Sequence, residues 1–304
     1  MKLEGDRKVR IVEVGPRDGL QNEKTILATP VKLEFIRNLI GAGCVEIEAT
    51  SFVSRTWTPQ LADADELWKL LPEPGIYSAL VPNEKGLERA LNVGVKRIAL
   101  FTAASESFVM RNINRTIQQS LDEFAKVVSM FRDAGGKFVR GYVSTVIECP
   151  FAGKISPLEV SVVSQLLLDL GADEICLGET VGVAVPDEIR KLTEVVLKVV
   201  PVQKLTYHFH DTRGTAIANV AAALEFGIRS FDSSAAGLGG CPYAPGAGGN
   251  VATEDLVYFL ERSGYDTGID LAKLAKASLP ILTALNLPVA SKAQRAILAE
   301  NQTC

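Results

Sequence analysis

Cysteine, histidine and unbroken apolar stretches are all scarce in this 304-residue chain. The five cysteines, Cys44, Cys149, Cys176, Cys241 and Cys304, are odd in number, scattered and without a C-x-x-C pair, which excludes a disulfide framework and a zinc ribbon. Cys44 and Cys176 sit among apolar residues and read as small core side chains, and Cys149 borders a proline. Only Cys241, between Gly240 and Pro242, has an unusual setting. Apolar runs such as VVLKVV are short and broken by charge, so membrane insertion is not expected. A basic excess is missing too: 32 Lys and Arg stand against 36 Asp and Glu, a net charge of -4, which argues against a nucleic-acid surface. The N-terminal MKLEGDRKVR has neither the apolar run of a signal peptide nor the look of a transit peptide, and a cytoplasmic location is expected. With 47% hydrophobic and 22% charged residues, the composition is that of a globular protein.

What histidine there is lies in one place. His208 and His210 are one residue apart in KLTYHFHD. Alternate side chains of an extended strand share a face, so both imidazoles point the same way, with Asp211 directly after. This suits a pair of metal ligands; the competing reading is a hydrogen-bonded pair of core histidines.

Short apolar runs alternate with longer stretches of helical spacing along most of the chain. Strands are expected over 10–14, 44–49, 76–81, 97–101, 138–145, 174–177, 205–209 and 230–233. Several of the intervening amphipathic stretches open with Thr-Pro, Ser-Pro or Pro-Asp and close with glycine, as capped helices do. The alternation implies parallel strands with crossover helices. Eight units favour a closed (β/α)8 TIM barrel of the α/β class, with an open doubly wound sheet as the rival. Residues 1–304 are expected to form one domain, with a C-terminal helical extension from about residue 264.

In such a barrel, catalytic groups come from the carboxyl ends of strands and the loops after them. Those positions hold Arg17 and Asp18 after the first expected strand, Glu48 on the second, Glu179 at the end of the sixth, and His208 and His210 at the seventh. Cys241 and Asn250 follow the eighth. Charges embedded in apolar strands are costly unless paired or metal-bound. Each residue taken singly has a bland reading, such as a loop salt bridge or a strand-end charge. Taken together they supply a cation for an oxyanion, nitrogen and oxygen ligands and a proton donor. Two imidazoles with an Asp oxygen and an Asn carbonyl suit Mg2+ or Mn2+ better than structural zinc.

The segments VEVGPRDGLQNEK, IEATSFVS, VRGYVS, CPFAGKISP, HFHDT and AGLGGCPYAPGAGGN, the last running on to ATEDLVY, closely resemble the 3-hydroxy-3-methylglutaryl-CoA lyase family. That family belongs to a superfamily of metal-dependent barrel enzymes with an Arg-Asp-Glu signature. The likeness runs from about residue 9 to 260, and its most specific element is GLGGCP. The resemblance implies that Asp18, His208, His210 and Asn250 bind a divalent cation, Mg2+ or Mn2+. It implies further that Arg17 contacts the thioester carbonyl, that Glu48 completes the signature, and that Cys241 is the acid of the glycine-rich loop. The implied reaction is retro-Claisen cleavage of a 3-hydroxyacyl-CoA to acetyl-CoA and acetoacetate. Asp18 or His208 would take the hydroxyl proton, Arg17 would neutralise the enolate oxygen and Cys241 would protonate carbon. The partners expected are an acyl-CoA and a second copy of the chain, with a homodimer favoured.

Three features depart from the family pattern. Glu179 in LGETVG replaces the usual aspartate, HFHDTRG carries Phe209 and Arg213, and VIECP adds Glu148. Phe209 should point away from the metal, whereas Glu179, expected to bind substrate, and Arg213 leave the substrate open. Citramalyl-CoA or a longer branched 3-hydroxyglutaryl-CoA is the nearest alternative, and condensation of acetyl-CoA with a 2-oxo acid a more distant one.

Overall fold

The structure is a computed structural model that describes residues 7–239 and 249–300. Among these residues ten strands occur in order: β1 (Arg10–Glu13), β2 (Glu46–Ser51), β3 (Ile76–Leu80), β4 (Arg97–Ala103), β5 (Phe138–Ser144), β6 (Glu148–Cys149), β7 (Gly153–Lys154), β8 (Glu174–Glu179), β9 (Leu205–Phe209) and β10 (Ser230–Ser233). Eight of them close a parallel barrel in the order β1-β2-β3-β4-β5-β8-β9-β10, and β10 returns to pair with β1. The fold is a (β/α)8 TIM barrel. The hairpin β6–β7 was not expected, because two-residue strands carry no readable period.

Period-two alternation sorts each strand into two faces. Ile47, Ile98, Val139, Val143, Ile175, Leu177, Tyr207 and Phe231 face outward into the main apolar core between barrel and helices. Phe209 is on this face as well, stacked on Tyr207 with ring centroids 4.9 Å apart. The barrel interior is unusually polar. A small apolar cluster of Leu80, Ala99, Tyr142 and Cys176 sits beside buried Glu48, Arg140, Glu174 and Asp232. Such charges remain inside because they are paired: Arg140 Nη1 lies 2.8 Å from Asp232 Oδ1, and Arg140 Nη2 lies 2.5 Å from Glu174 Oε1.

Helix starts follow the cap signals. Ser156 caps the helix Pro157–Asp169 in a capping box with Glu159, and Thr116 does the same with Gln119 for Ile117–Asp133. After the last barrel strand, helices Leu271–Ala277, Leu279–Leu285 and Lys292–Glu300 follow one another. Buried Gln294 ties the last of them to the first, donating to Ala275 O at 2.8 Å. Among the described residues no helix is long and apolar enough to cross a membrane.

Candidate metal centre and active site

After β1 the chain wraps into a wide turn over Gly15–Gly19, in which the amides of Arg17, Asp18 and Gly19 all donate to Val14 O at 3.1, 2.7 and 3.1 Å. This turn folds Arg17 inward over the carboxyl ends of the strands. The buried guanidinium donates through Nε to Glu48 Oε1 and through Nη1 to Asp18 Oδ1, the latter at 2.7 Å. Burial works against its charge, but Glu48 and Asp18 outweigh it and hold Arg17 cationic, above its ordinary value.

His208 and His210 share a face, with their Nε2 atoms 3.1 Å apart. One nitrogen from each and an Asp18 oxygen all lie within 4.8 Å of one another, a grouping that could hold a metal ion. Asn250 reaches the cluster from a segment that bridges His210 through the backbone. Its Nδ2 donates to Asp18 Oδ2 at 2.8 Å and to Leu238 O at 3.1 Å, which fixes the amide orientation. Asn250 Oδ1 is then left buried without a hydrogen-bond partner among the described residues. Gly239 permits this approach, since its φ is +106° and an added Cβ would lie 2.6 Å from Asn250 Nδ2.

An orphaned amide oxygen, a carboxylate and two imidazoles fit a divalent cation, because a buried acceptor without a donor asks for a positive charge. The charge states agree. Burial opposes ionisation of Asp18, but Arg17 and both histidines outweigh it and bring its carboxyl down to about 2. Burial and then His208 push His210 down to about 3, so the imidazole is neutral, with one ring nitrogen able to ligate. His208 moves upward, since Asp232 and Asp18 together exceed the effect of burial.

The cluster lies in a cavity of about 460 Å³, within the size range of ligand pockets. Arg17, Asp18, Tyr142, His208 and His210 contribute to it, Phe101, Phe108 and Phe124 give it apolar surface, and Trp57, 73% exposed, also lines it.

The structure thus brings Arg17, Asp18, Glu48, His208, His210 and Asn250 together. It does not bring Glu179 into the cavity. Gly178 and Thr180 line the space, whereas Glu179 shares the outward face of Ile175 and Leu177, and its Oε1 accepts from Val183 N at 3.1 Å. The expectation that Glu179 contacts substrate is corrected accordingly. Arg213 is likewise turned to the loop after β8, donating to Val181 O and Gly182 O at 3.2 and 3.1 Å. Both residues hold this loop in place. Glu179→Ala should lower stability by about 1–3 kcal/mol through lost backbone hydrogen bonds while leaving KM unchanged. A thermal melt beside steady-state kinetics checks this, and a large KM increase with an intact Tm would return Glu179 to the site. Cys241 lies outside the described residues; Cys44, Cys149 and Cys176 are free and buried.

Several polar residues with no place in the sequence pattern support the site. Glu13 Oε1 accepts from Gly15 N and Ala235 N at 2.8 and 2.9 Å, and its Oε2 from Thr253 Oγ1 at 2.6 Å. It therefore staples the Arg17 turn to the loop after β10. Glu254 accepts from Ala236 N at 2.8 Å, while its Oε1 is buried without a hydrogen-bond partner among the described residues, as suits a protonated carboxyl. Burial raises Glu13 to about 7 and Glu254 to about 8. A raised carboxyl pKa contributes stability that is complete below the unfolded value near 4.5 and is lost as pH rises through the folded value near 8. Glu254→Gln should therefore reduce the fall in Tm between pH 5 and 8, which a melt series measures. A slope identical to that of the parent chain would contradict this assignment.

A family model described as HMGL-like matches residues 8–281. The chain is 50% identical over 292 residues to the mitochondrial hydroxymethylglutaryl-CoA lyase of Bos taurus, covering 95% of this chain and 90% of that one. Among solved structures, hydroxymethylglutaryl-CoA lyase from Pseudomonas aeruginosa superposes with a TM-score of 0.94 at 46% identity, covering 97% and 99% of the two chains. An HMG-CoA lyase from Acinetobacter baumannii, in complex with coenzyme A and 3-methylmalate, gives a TM-score of 0.91 at 38% identity, with 97% of each chain covered.

Proposed function

The chain belongs to the HMGL-like family, and on that premise we propose that it is a carbon-carbon lyase that cleaves 3-hydroxy-3-methylglutaryl-CoA to acetyl-CoA and acetoacetate. The observation that carries this reading is the convergence of Arg17 with the Asp18, His208 and His210 cluster in one cavity.

Cleavage begins with loss of the proton from the hydroxyl on C3. The C2–C3 bond then breaks, C3 becomes the ketone of acetoacetate, and the electron pair passes to C2 and the thioester oxygen as an enolate. Protonation at C2 gives acetyl-CoA. Asp18, His208, His210 and Asn250 would hold a divalent cation, Mg2+ or Mn2+, which when bound acidifies a coordinated hydroxyl and anchors a carboxylate. Asp18 or His208 would take the hydroxyl proton, a role that rests on the family resemblance. Glu48 and Asp18 occupy Arg17 Nε and Nη1, leaving Nη2 to meet the thioester oxygen, where negative charge develops. Arg115, also on the cavity wall, is paired there with Glu123, its Nη1 2.9 Å from Glu123 Oε2.

The proton for C2 is assigned to Cys241, on the strength of the GLGGCP resemblance. Cys241→Ser should lower kcat by about a hundredfold or more, within the range of general acid catalysis, with Mn2+ affinity unchanged. Near-parental turnover in that variant would show that another group delivers the proton. A homodimer completes the reading and rests on the family resemblance.

Incubating purified, metal-loaded protein with a panel of 3-hydroxyacyl-CoA thioesters and following products by mass spectrometry tests the substrate. Acetyl-CoA and acetoacetate from 3-hydroxy-3-methylglutaryl-CoA are the expected result. Preferential cleavage of citramalyl-CoA or of a longer branched thioester would overturn it, as would condensation of acetyl-CoA with a 2-oxo acid.

A further inference from the structure

Asp232, on β10, is buried in the barrel interior behind His208. Its Oδ1 accepts from Arg140 Nη1 at 2.8 Å. Around its Oδ2 lie His208 Nδ1 at 3.3 Å, Tyr142 OH at 3.0 Å and Cys176 Sγ at 3.4 Å. Tyr142 OH is also 3.1 Å from Glu48 Oε2, so its single proton serves whichever of the two carboxylates it faces. Glu48 in turn holds Arg17, and Arg17 holds Asp18. One buried chain of contacts therefore runs from His208 through Asp232, Tyr142, Glu48 and Arg17 to Asp18, linking two residues of the cluster from behind.

Resting on the metal-centre reading above, we propose that Asp232 is a positioning residue that fixes the tautomer and ring orientation of His208 and thereby sets the cation affinity of the site. An ionised carboxylate only accepts hydrogen bonds, so the imidazole nitrogen that faces it must carry the proton. With the proton on Nδ1, the lone pair is on Nε2, which faces His210 Nε2 at 3.1 Å and Asp18 Oδ2 at 3.9 Å. The lone pair is then directed at the position a cation would take. Carboxylates placed behind ligating histidines act in this way on ligand basicity and aim.

In Asp232→Asn the single remaining oxygen is drawn to Arg140, whose donors require an acceptor. The amide N–H then faces His208, reverses the tautomer and places a proton on Nε2. The test has two arms. In the unaltered chain, labelled with 15N-histidine, only two imidazoles contribute signals, and His210→Gln assigns them. A long-range proton–nitrogen spectrum of the metal-free protein is expected to show neutral His208 protonated at Nδ1. Protonation at Nε2 would overturn the proposal, and this arm does not require the Asp232 variant to fold. In the second arm, Asp232→Asn should weaken Mn2+ binding roughly 10–100-fold. Cys176→Ala, which removes another Asp232 contact without touching His208, should leave Mn2+ affinity unchanged. A folded Asp232→Asn chain with parental Mn2+ affinity, or equal weakening by Cys176→Ala, would sink the assignment. Neither readout uses a thioester. An inactive chain with the expected tautomer and affinities would refute the lyase reading alone, and an active one with His208 protonated at Nε2 would refute only the role of Asp232.

Discussion

Replacing Arg17 with methionine should lower kcat on 3-hydroxy-3-methylglutaryl-CoA by about two to three orders of magnitude, or about 2.7–4 kcal/mol of transition-state stabilisation. The guanidinium is fixed by Glu48 and Asp18 before substrate arrives, so no reorganisation is needed as charge builds on the thioester oxygen. Such preorganised cations act most strongly in a buried site, where water does not screen them. The same substitution removes half of a buried ion pair, and an unpaired Glu48 should destabilise the fold by about 3–5 kcal/mol. The double variant Arg17→Met/Glu48→Gln separates the two effects, since it removes both charges. Its Tm should recover much of the loss while its kcat stays down. Recovery of kcat to within tenfold of the parent chain would place Arg17 in a structural role only.

Asp18→Ala should weaken Mn2+ binding by at least about 100-fold, because residues behind a ligand already affect affinity 10–100-fold and Asp18 belongs to the cluster itself. The loss is compounded. Asp18 Oδ2 accepts from Asn250 Nδ2, and Asp18 Oδ1 accepts from Arg17, so its removal frees two further groups of the site. Turnover should remain low even at saturating Mn2+, since Arg17 then lacks one of its two anchors. Calorimetric titration with Mn2+ gives the affinity directly, and a parental value would remove Asp18 from the set of ligands.

Period-two alternation is the rule that made the site partly legible from sequence. It placed His208 and His210 on one face and turned Phe209 outward to stack on Tyr207. Applied from the start of β8, where Cys176 and Gly178 face inward, the same rule places Glu179 with Ile175 and Leu177 on the outward face; counting it as a strand-end charge obscured this. Asp232 followed the logic that singled out Glu48, a carboxylate within an apolar strand, yet its strand is only four residues long and offered little pattern to break. Asn250 lies 40 positions from His210, and only the backbone bridge between them brings it to the cluster. Contacts over that distance leave no local period, so it is the barrel frame, which sets the loop after the eighth strand at the same mouth, that marks Asn250, and the resemblance agrees with it.

We propose that the Asp18, His208, His210 and Asn250 cluster, with Arg17 beside it, is a metal-dependent lyase centre. Protein stripped of metal and titrated with Mn2+, with bound ion and acetoacetate release from 3-hydroxy-3-methylglutaryl-CoA measured on the same samples, tests it most directly. Cleavage should be absent without metal and rise in proportion to occupancy of a single site per chain. Full cleavage after exhaustive chelation, or an occupied site with no acetoacetate released, would contradict it.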